Sequence, residues 1–190
     1  ESPLYVKPFE ITNTVLIKAK GFHQGFRASS TLSIMATKAQ LKPALKMQPA
    51  MKGTAFQYFE GKFEKVSDIG KTSLVDSGIM PEPSIKEARQ ADHFGYIFSG
   101  VIVVPEDGVY AFQTRSDDGS MLYIDGELVV NNDGSHAAIS ATGMIALSKG
   151  CHSYKLLYFE DYEGEFFSWN WKLPSSKEFG PIPTSALFVK

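Results

Sequence analysis

Along this chain apolar and polar residues alternate in short bursts, and glycine, proline, aspartate and asparagine punctuate them. In TVLIKAKGF, Val15, Ile17 and Ala19 fall on one side of an extended chain and Leu16, Lys18 and Lys20 on the other, the period-two signature of a half-buried strand. The stretches PFEITN and STLSIMATK read the same way, so residues 5–38 predict a small set of three strands. A sheet of that size cannot bury both faces unaided. Either a piece of it lies elsewhere, or it leans on the rest of the chain. Residues 39–52, with Pro43, Pro49 and no clean period, read as a linker.

From residue 53 the bursts lengthen. TAFQYFE is an apolar strand followed by loop chemistry, and residues 93–132 give strand, turn, strand, turn, strand, turn, strand. Pro105 to Gly108 is a reverse turn between apolar runs, Asp125-Gly126 is a strong two-residue hairpin signal, and Lys149-Gly150 marks another turn. Strands separated by turns at this spacing, with hardly a helical period, predict an all-β chain. The expected fold is an antiparallel β-sandwich or barrel over residues 53–190, preceded by a short partial β-sandwich segment.

Composition narrows the classes. Of the 190 residues 43% are hydrophobic and 13% aromatic, which is globular, and no apolar run approaches the length of a membrane span. No membrane insertion is expected. The start ESPLYVKPFE has neither the basic nor the apolar stretch of a signal peptide, so any export signal is expected upstream. One cysteine, Cys151, excludes an internal disulfide and a cysteine-based zinc site. The net charge of -2 hides an asymmetry, because residues 1–53 carry eight basic against two acidic side chains. Those lysines are spaced singly, with no arginine cluster and no interleaved aromatics, so no nucleic-acid partner is expected.

Enzyme signatures are missing. There is no G-x-S-x-G, no phosphate-cradling G-x-x-x-x-G-K, no G-x-G-x-x-G and no H-E-x-x-H, and His23, His93, His136 and His152 match no metal spacing. No catalytic residue is assigned. The distinctive stretch is RSDDGSMLYIDG, where Asp117 and Asp118 stand side by side before Gly119. Neighbouring side chains on a strand point to opposite faces, so two carboxylates converging on one ion need an unusual backbone. The hairpin around Asp125-Gly126 should return Asn131, Asn132 and Asp133 beside the pair. A loop starting at Asn131 has Thr142 where an EF-hand needs its glutamate, so a calcium site here would be built from two loops. A solvated turn, with Asp118 capping it, is the alternative left open by the residues alone.

The run S-D-D-G-S-x-L-x-I-D-G, then N-D-G-x-H, then G-x-H-x-x-x-L-x-Y-F-E resembles the protective-antigen lectin-like (PA-fourteen) domain family over residues 53–190. The resemblance implies an antiparallel β-sandwich acting as a non-catalytic carbohydrate-binding module. In the yeast adhesin relatives the matching aspartates hold Ca²⁺ through a cis peptide, helped by an asparagine that maps to Asn131 or Asn132, and the sugar binds that ion. The loop is shorter here, which bears on direct sugar ligation more than on Asp117 and Asp118. The opening S-x-L-Y-x-x-P-F before T-x-x-I-K-A resembles the tail of the fibronectin-type-III-like domain that follows the catalytic domain of chitobiases and bacterial β-hexosaminidases; this would occupy residues 1–38. Together these imply a secreted, periplasmic or cell-surface glycoside hydrolase as parent, a family-twenty β-N-acetylhexosaminidase above others, its catalytic domain in the same polypeptide.

A pyranose needs an aromatic face and polar partners for its hydroxyls. Phe167, Trp169 and Trp171 share one strand face and read as core, whereas Asp161, Tyr162 and Glu163 lie in a loop between strands and are the expected specificity contacts. Glu160 and Glu163 sit too close in sequence to flank a glycosidic bond well. Two readings carry similar weight: a calcium-assisted glycan module, and a structural domain that packs on the catalytic domain and shapes substrate access. A self-sufficient hydrolase is the third.

Overall fold

The computed structural model describes residues 3–190. The chain forms two units, one reaching Gln40 and one from Leu41 to Lys190. In the first, β1 (Val15–Ala19) and β2 (Leu32–Ala36) pair antiparallel with Ile17 opposite Ile34. The segment PFEITN, expected as a strand, is irregular. The expected buried side of the period-two pattern is only weakly formed: Val15 and Ala19 are exposed and Ile17 is half-buried, while Leu32, Ile34 and Met35 of β2 are exposed, because a sheet of two five-residue strands buries little by itself.

The second unit is the all-β sandwich. It contains β3 (Thr54–Glu60), β4 (Leu74–Met80), β5 (Phe94–Val104), β6 (Gly108–Asp117), β7 (Ser120–Ile124), β8 (Glu127–Asn132), β9 (Ile139–Leu147), β10 (Gly150–Glu160), β11 (Phe166–Lys172), β12 (Gly180–Pro181) and β13 (Leu187–Phe188). Every pairing between these strands is antiparallel: one sheet runs β4-β3-β5-β10-β7-β8 with β13 alongside β5, the other β12-β11-β6-β9. Short 3-10 turns at Val66–Lys71 and Thr184–Ala186 are the helical elements among the described residues, and none is long or apolar enough to cross a membrane. Residues 41–52 belong to this unit, with Lys42 N–H donating to Ala146 and Leu45 N–H to Cys151, both at 2.8 Å.

Strand alternation builds the interior. Phe94, Tyr96, Phe98, Ile102 and Val104 of β5, and Tyr154, Leu156 and Tyr158 of β10, face Tyr110 and Phe112 of β6 and Trp169 and Trp171 of β11. The tryptophans are therefore core, as their shared face predicts. Each fully buried large side chain stabilises the fold by about 1.5–3 kcal/mol. The outer face of the larger sheet carries a second cluster, in which Phe63, Val66 and Ile69 cover Phe59, Leu157 and Phe159. Gly119 is required there, since a Cβ would lie 2.3 Å from the Phe159 ring.

An antiparallel sandwich gathers its loops at two ends. At one end lie the turns after β5, β7 and β9; Asp125 and Gly126 take positive φ (48° and 77°), the two-residue hairpin that the sequence predicts. At the other end β6, β8 and β10 finish and β5, β7, β9 and β11 begin. Approaching that second end, β6 changes chemistry on its inward face. After Tyr110 and Phe112 come the buried Thr114 and Ser116, tied to Ser120 by hydroxyl contacts of 3.0 and 2.8 Å.

Candidate functional site

The polar end of the interior leads straight to the aspartate pair. Asp117 closes β6 and Asp118 opens the turn to β7, and the peptide between them is cis, the arrangement that the resemblance implies. They are only 9% and 4% exposed. Asp118 is held by two loops: its Oδ1 accepts the His136 N–H at 2.6 Å and its Oδ2 accepts the Asp161 N–H at 2.8 Å. The 161–165 loop also lies against Asp117, because a Cβ on Gly164 would sit 3.0 Å from Asp117 Oδ2.

Glu160, the last residue of β10, completes the arrangement. It has no exposed surface, and one oxygen each of Asp117, Asp118 and Glu160 lie within 4.8 Å of one another. The Tyr158 hydroxyl donates to the Asp117 carbonyl at 2.5 Å and stands 3.0 Å from Glu160 Oε2. Glu160 Oε1 is buried with no partner. Burial pushes the Glu160 carboxyl up to about 8; the Tyr158 hydroxyl opposes that shift, and the charges of Asp118 and Asp117 add to it. Burial, then the neighbouring Asp118, raises Asp117 as well. Among the described residues no lysine or arginine pairs with any of the three.

Three carboxylates brought together away from water need a proton or a cation to offset their repulsion and lost hydration. The donors are all oxygen, and Glu160 keeps an oxygen with no other partner, so the set fits a hard divalent ion such as Ca²⁺. Glu160 is the residue that the motif reading leaves out of the metal set. Its signal is present in the sequence: it continues the inward face of Tyr154, Leu156 and Tyr158, and an acid at an inward position needs a partner.

The other expected ligands go different ways. Asn132 is buried; its amide donates to Ser116 Oγ at 2.9 Å and to the Ile139 carbonyl at 3.2 Å, beside the pair. Asn131 is exposed and accepts the Asp133 N–H through its side chain. Asp133 Oδ1 accepts the N–H groups of Val66 and Gly134 at 2.8 and 3.0 Å, which fastens the covering segment on the outer face. Of the expected sugar contacts, Asp161 reaches Asp118 through its backbone, while Tyr162, 65% exposed, and Glu163 project from the loop.

A β-sandwich with paired acids at one loop end defines a class of domain, and comparison with known proteins agrees with it. The family profile for the PA14 domain matches residues 48–185, and the chain belongs to that family. A β-hexosaminidase of Porphyromonas gingivalis is 24% identical over 204 residues, an alignment covering 97% of this chain and 25% of the relative. The chain thus spans about a quarter of that relative's length. Among solved structures, a PA14 sugar-binding domain from an RTX adhesin superposes with a TM-score of 0.60 at 15% identity, covering 74% of this chain and all of that one. The epithelial adhesin 9 A domain of Candida glabrata, solved with Galβ1-3GlcNAc, superposes with a TM-score of 0.58 at 12% identity over 80% of this chain and 95% of its own. At these identities the structural likeness shows the fold.

Proposed function

We propose that residues 41–190 are a non-catalytic carbohydrate-binding module whose acidic end takes Ca²⁺, and that the module serves a glycoside hydrolase of the β-N-acetylhexosaminidase kind in the same polypeptide. The observation that carries this reading is the convergence of Asp117, Asp118 and Glu160, buried and without a basic partner among the described residues. The sugar-bound adhesin of like fold and the β-hexosaminidase relative support the glycan partner and the parent enzyme. Placement outside the cytoplasm belongs to the same reading.

The three carboxylates, with Asn132 adjoining, would hold the ion, and a calcium bound there supplies positive charge against them and coordination for hydroxyl oxygens. The remaining tasks fall to this chain's own groups. His136 and Asp161 N–H groups orient Asp118, Tyr158 fixes the Asp117 carbonyl, and the exposed ring of Tyr162 offers a face for a pyranose. In the first unit, the exposed apolar side chains on both faces of β1 and β2 support its being part of a fibronectin-type-III-like sandwich completed by other strands of the parent.

A second reading has its own observation. Gly164 and the Asp161 backbone pack directly on the aspartates, so an ion there can be enclosed by the protein and serve only to fix the loops. The domain would then shape access to the catalytic domain without binding free sugar. A glycan array run with calcium and with chelator separates the two: the module reading expects calcium-dependent binding that Asp118→Ala abolishes. No glycan binding in either condition, with calcium still bound by titration calorimetry, leaves the structural domain.

A further inference from the structure

We propose that Asp92 and His93, the turn entering β5, are positioning residues that clamp the 161–165 loop and thereby set how tightly the acidic end holds a divalent cation. This rests on the calcium reading above. Among the described residues, three other than glycine have left-handed backbone: His93 (φ 60°), Asp125 (φ 48°) and Glu163 (φ 59°). The hairpin accounts for Asp125. The other two meet in one place, since Asp92 Oδ1 accepts the Glu163 N–H at 3.0 Å and His93 Nδ1 stands 3.4 Å from Asp161 Oδ1. Such backbone in side-chain-bearing residues persists where surrounding contacts over-determine it, and it gathers at ligand clamps.

The loop gripped from this side touches both aspartates on its other side. Asp161 N–H donates to Asp118 Oδ2, and Gly164 lies against Asp117 Oδ2. The clamp is itself anchored, because the His93 carbonyl accepts the Gly61 N–H at 2.8 Å. The second oxygen of Asp161 receives the Ser135 hydroxyl at 3.5 Å, so one carboxylate joins the clamp to the 133–137 loop, whose His136 N–H holds the other oxygen of Asp118. Asp92 and His93 lie outside the three-acid cluster. Removing them leaves every acidic ligand in place and releases only the loop that aims Asp118.

The test is a Tb³⁺ luminescence titration of the full chain, with Tb³⁺ standing in for calcium. It is run alongside hydrogen exchange over residues 161–165 and melting in chelator. The double variant Asp92→Ala, His93→Ala is expected to bind Tb³⁺ about tenfold or more weakly, the range seen when partners that orient metal ligands are removed. Its loop should exchange faster while its melting in chelator matches the parent chain. His93→Asn, which tolerates left-handed backbone and keeps a donor, should retain affinity within about threefold. Asp118→Asn should abolish binding. Wild-type affinity in the double variant, with Asp118→Asn still dead, overturns the clamp and leaves the calcium reading intact; no Tb³⁺ binding by the parent chain overturns both. A double variant that melts far lower in chelator, with its affinity loss shared by His93→Asn, shows a merely structural turn and also overturns the clamp.

Discussion

The two loop ends of the sandwich each hold acids at least partly out of water, and they treat them differently. At the end carrying the Asp125-Gly126 hairpin, Asp125 meets His152 Nδ1 at 2.6 Å, and its other oxygen accepts the Ser153 N–H and hydroxyl at 2.8 and 3.1 Å. His152, wholly buried, reaches the Ser148 carbonyl with its second nitrogen at 2.8 Å. Both carboxylate oxygens of Asp125 and both ring nitrogens of His152 have partners. At the opposite end three carboxylates converge, Glu160 Oε1 has none, and the facing atoms His93 Nδ1 and Asp161 Oδ1 stand 3.4 Å apart without hydrogen-bond geometry. One end is closed by the chain's own groups, whereas the other leaves a carboxylate oxygen free for the ion proposed above. Buried polar groups are nearly always satisfied in stable folds, so three converging carboxylates with an unpartnered oxygen among them make this end the candidate ligand site.

The largest expected effect breaks the self-satisfied end. His152→Ala empties a fully buried site and removes the partner of the half-buried Asp125 carboxylate, and should destabilise the protein by about 3 kcal/mol in urea unfolding, with calcium giving no rescue specific to it. Next, calcium at a hundredfold excess over its dissociation constant should stabilise the parent chain by about 2.7 kcal/mol, and Asp118→Asn should lose that increment. Equal calcium stabilisation in Asp118→Asn would place the ion elsewhere.

A third effect depends on pH. Glu160 has a folded value of about 8 against an ordinary value of 4.5, so the neutral form is favoured in the fold. Its contribution is fully present below the unfolded value and is lost as pH rises through the folded one. Ion-free protein should therefore lose stability between about pH 4.5 and 8, and Glu160→Gln should flatten that slope while also abolishing calcium stabilisation. An unchanged slope would show Glu160 to be hydrated rather than enclosed. The smallest effect belongs to Tyr162→Ala. It should leave thermal stability within about 0.5 kcal/mol, as expected of an exposed side chain. Glycan affinity should fall by about 1 kcal/mol, the size of a lost aromatic contact.

Much of the second unit was legible from alternation and turns, because strands buried on one face reveal themselves through period two and Asp125-Gly126 admits few other conformations. The aspartate pair was legible from motif order. Three things were not. Burial in the first unit failed because periodicity shows which side of a strand would be buried, not whether a second layer exists to bury it. Asn131 and Asp133 were drawn toward the aspartates by hairpin arithmetic, which fixes where a loop returns but not where its side chains point; Asp133 turns to Val66 instead. Glu160 was hidden by the opposite problem. It lies far from Asp117 in sequence and meets it only because β10 and β6 end at the same side of the sandwich.

A crystal structure of the protein soaked with calcium tests the central claim most directly. The expected result is one ion with oxygens of Asp117, Asp118 and Glu160 at about 2.3–2.6 Å, the calcium–oxygen range. The contradicting result is a map at saturating calcium in which those three carboxylates contact only water and protein.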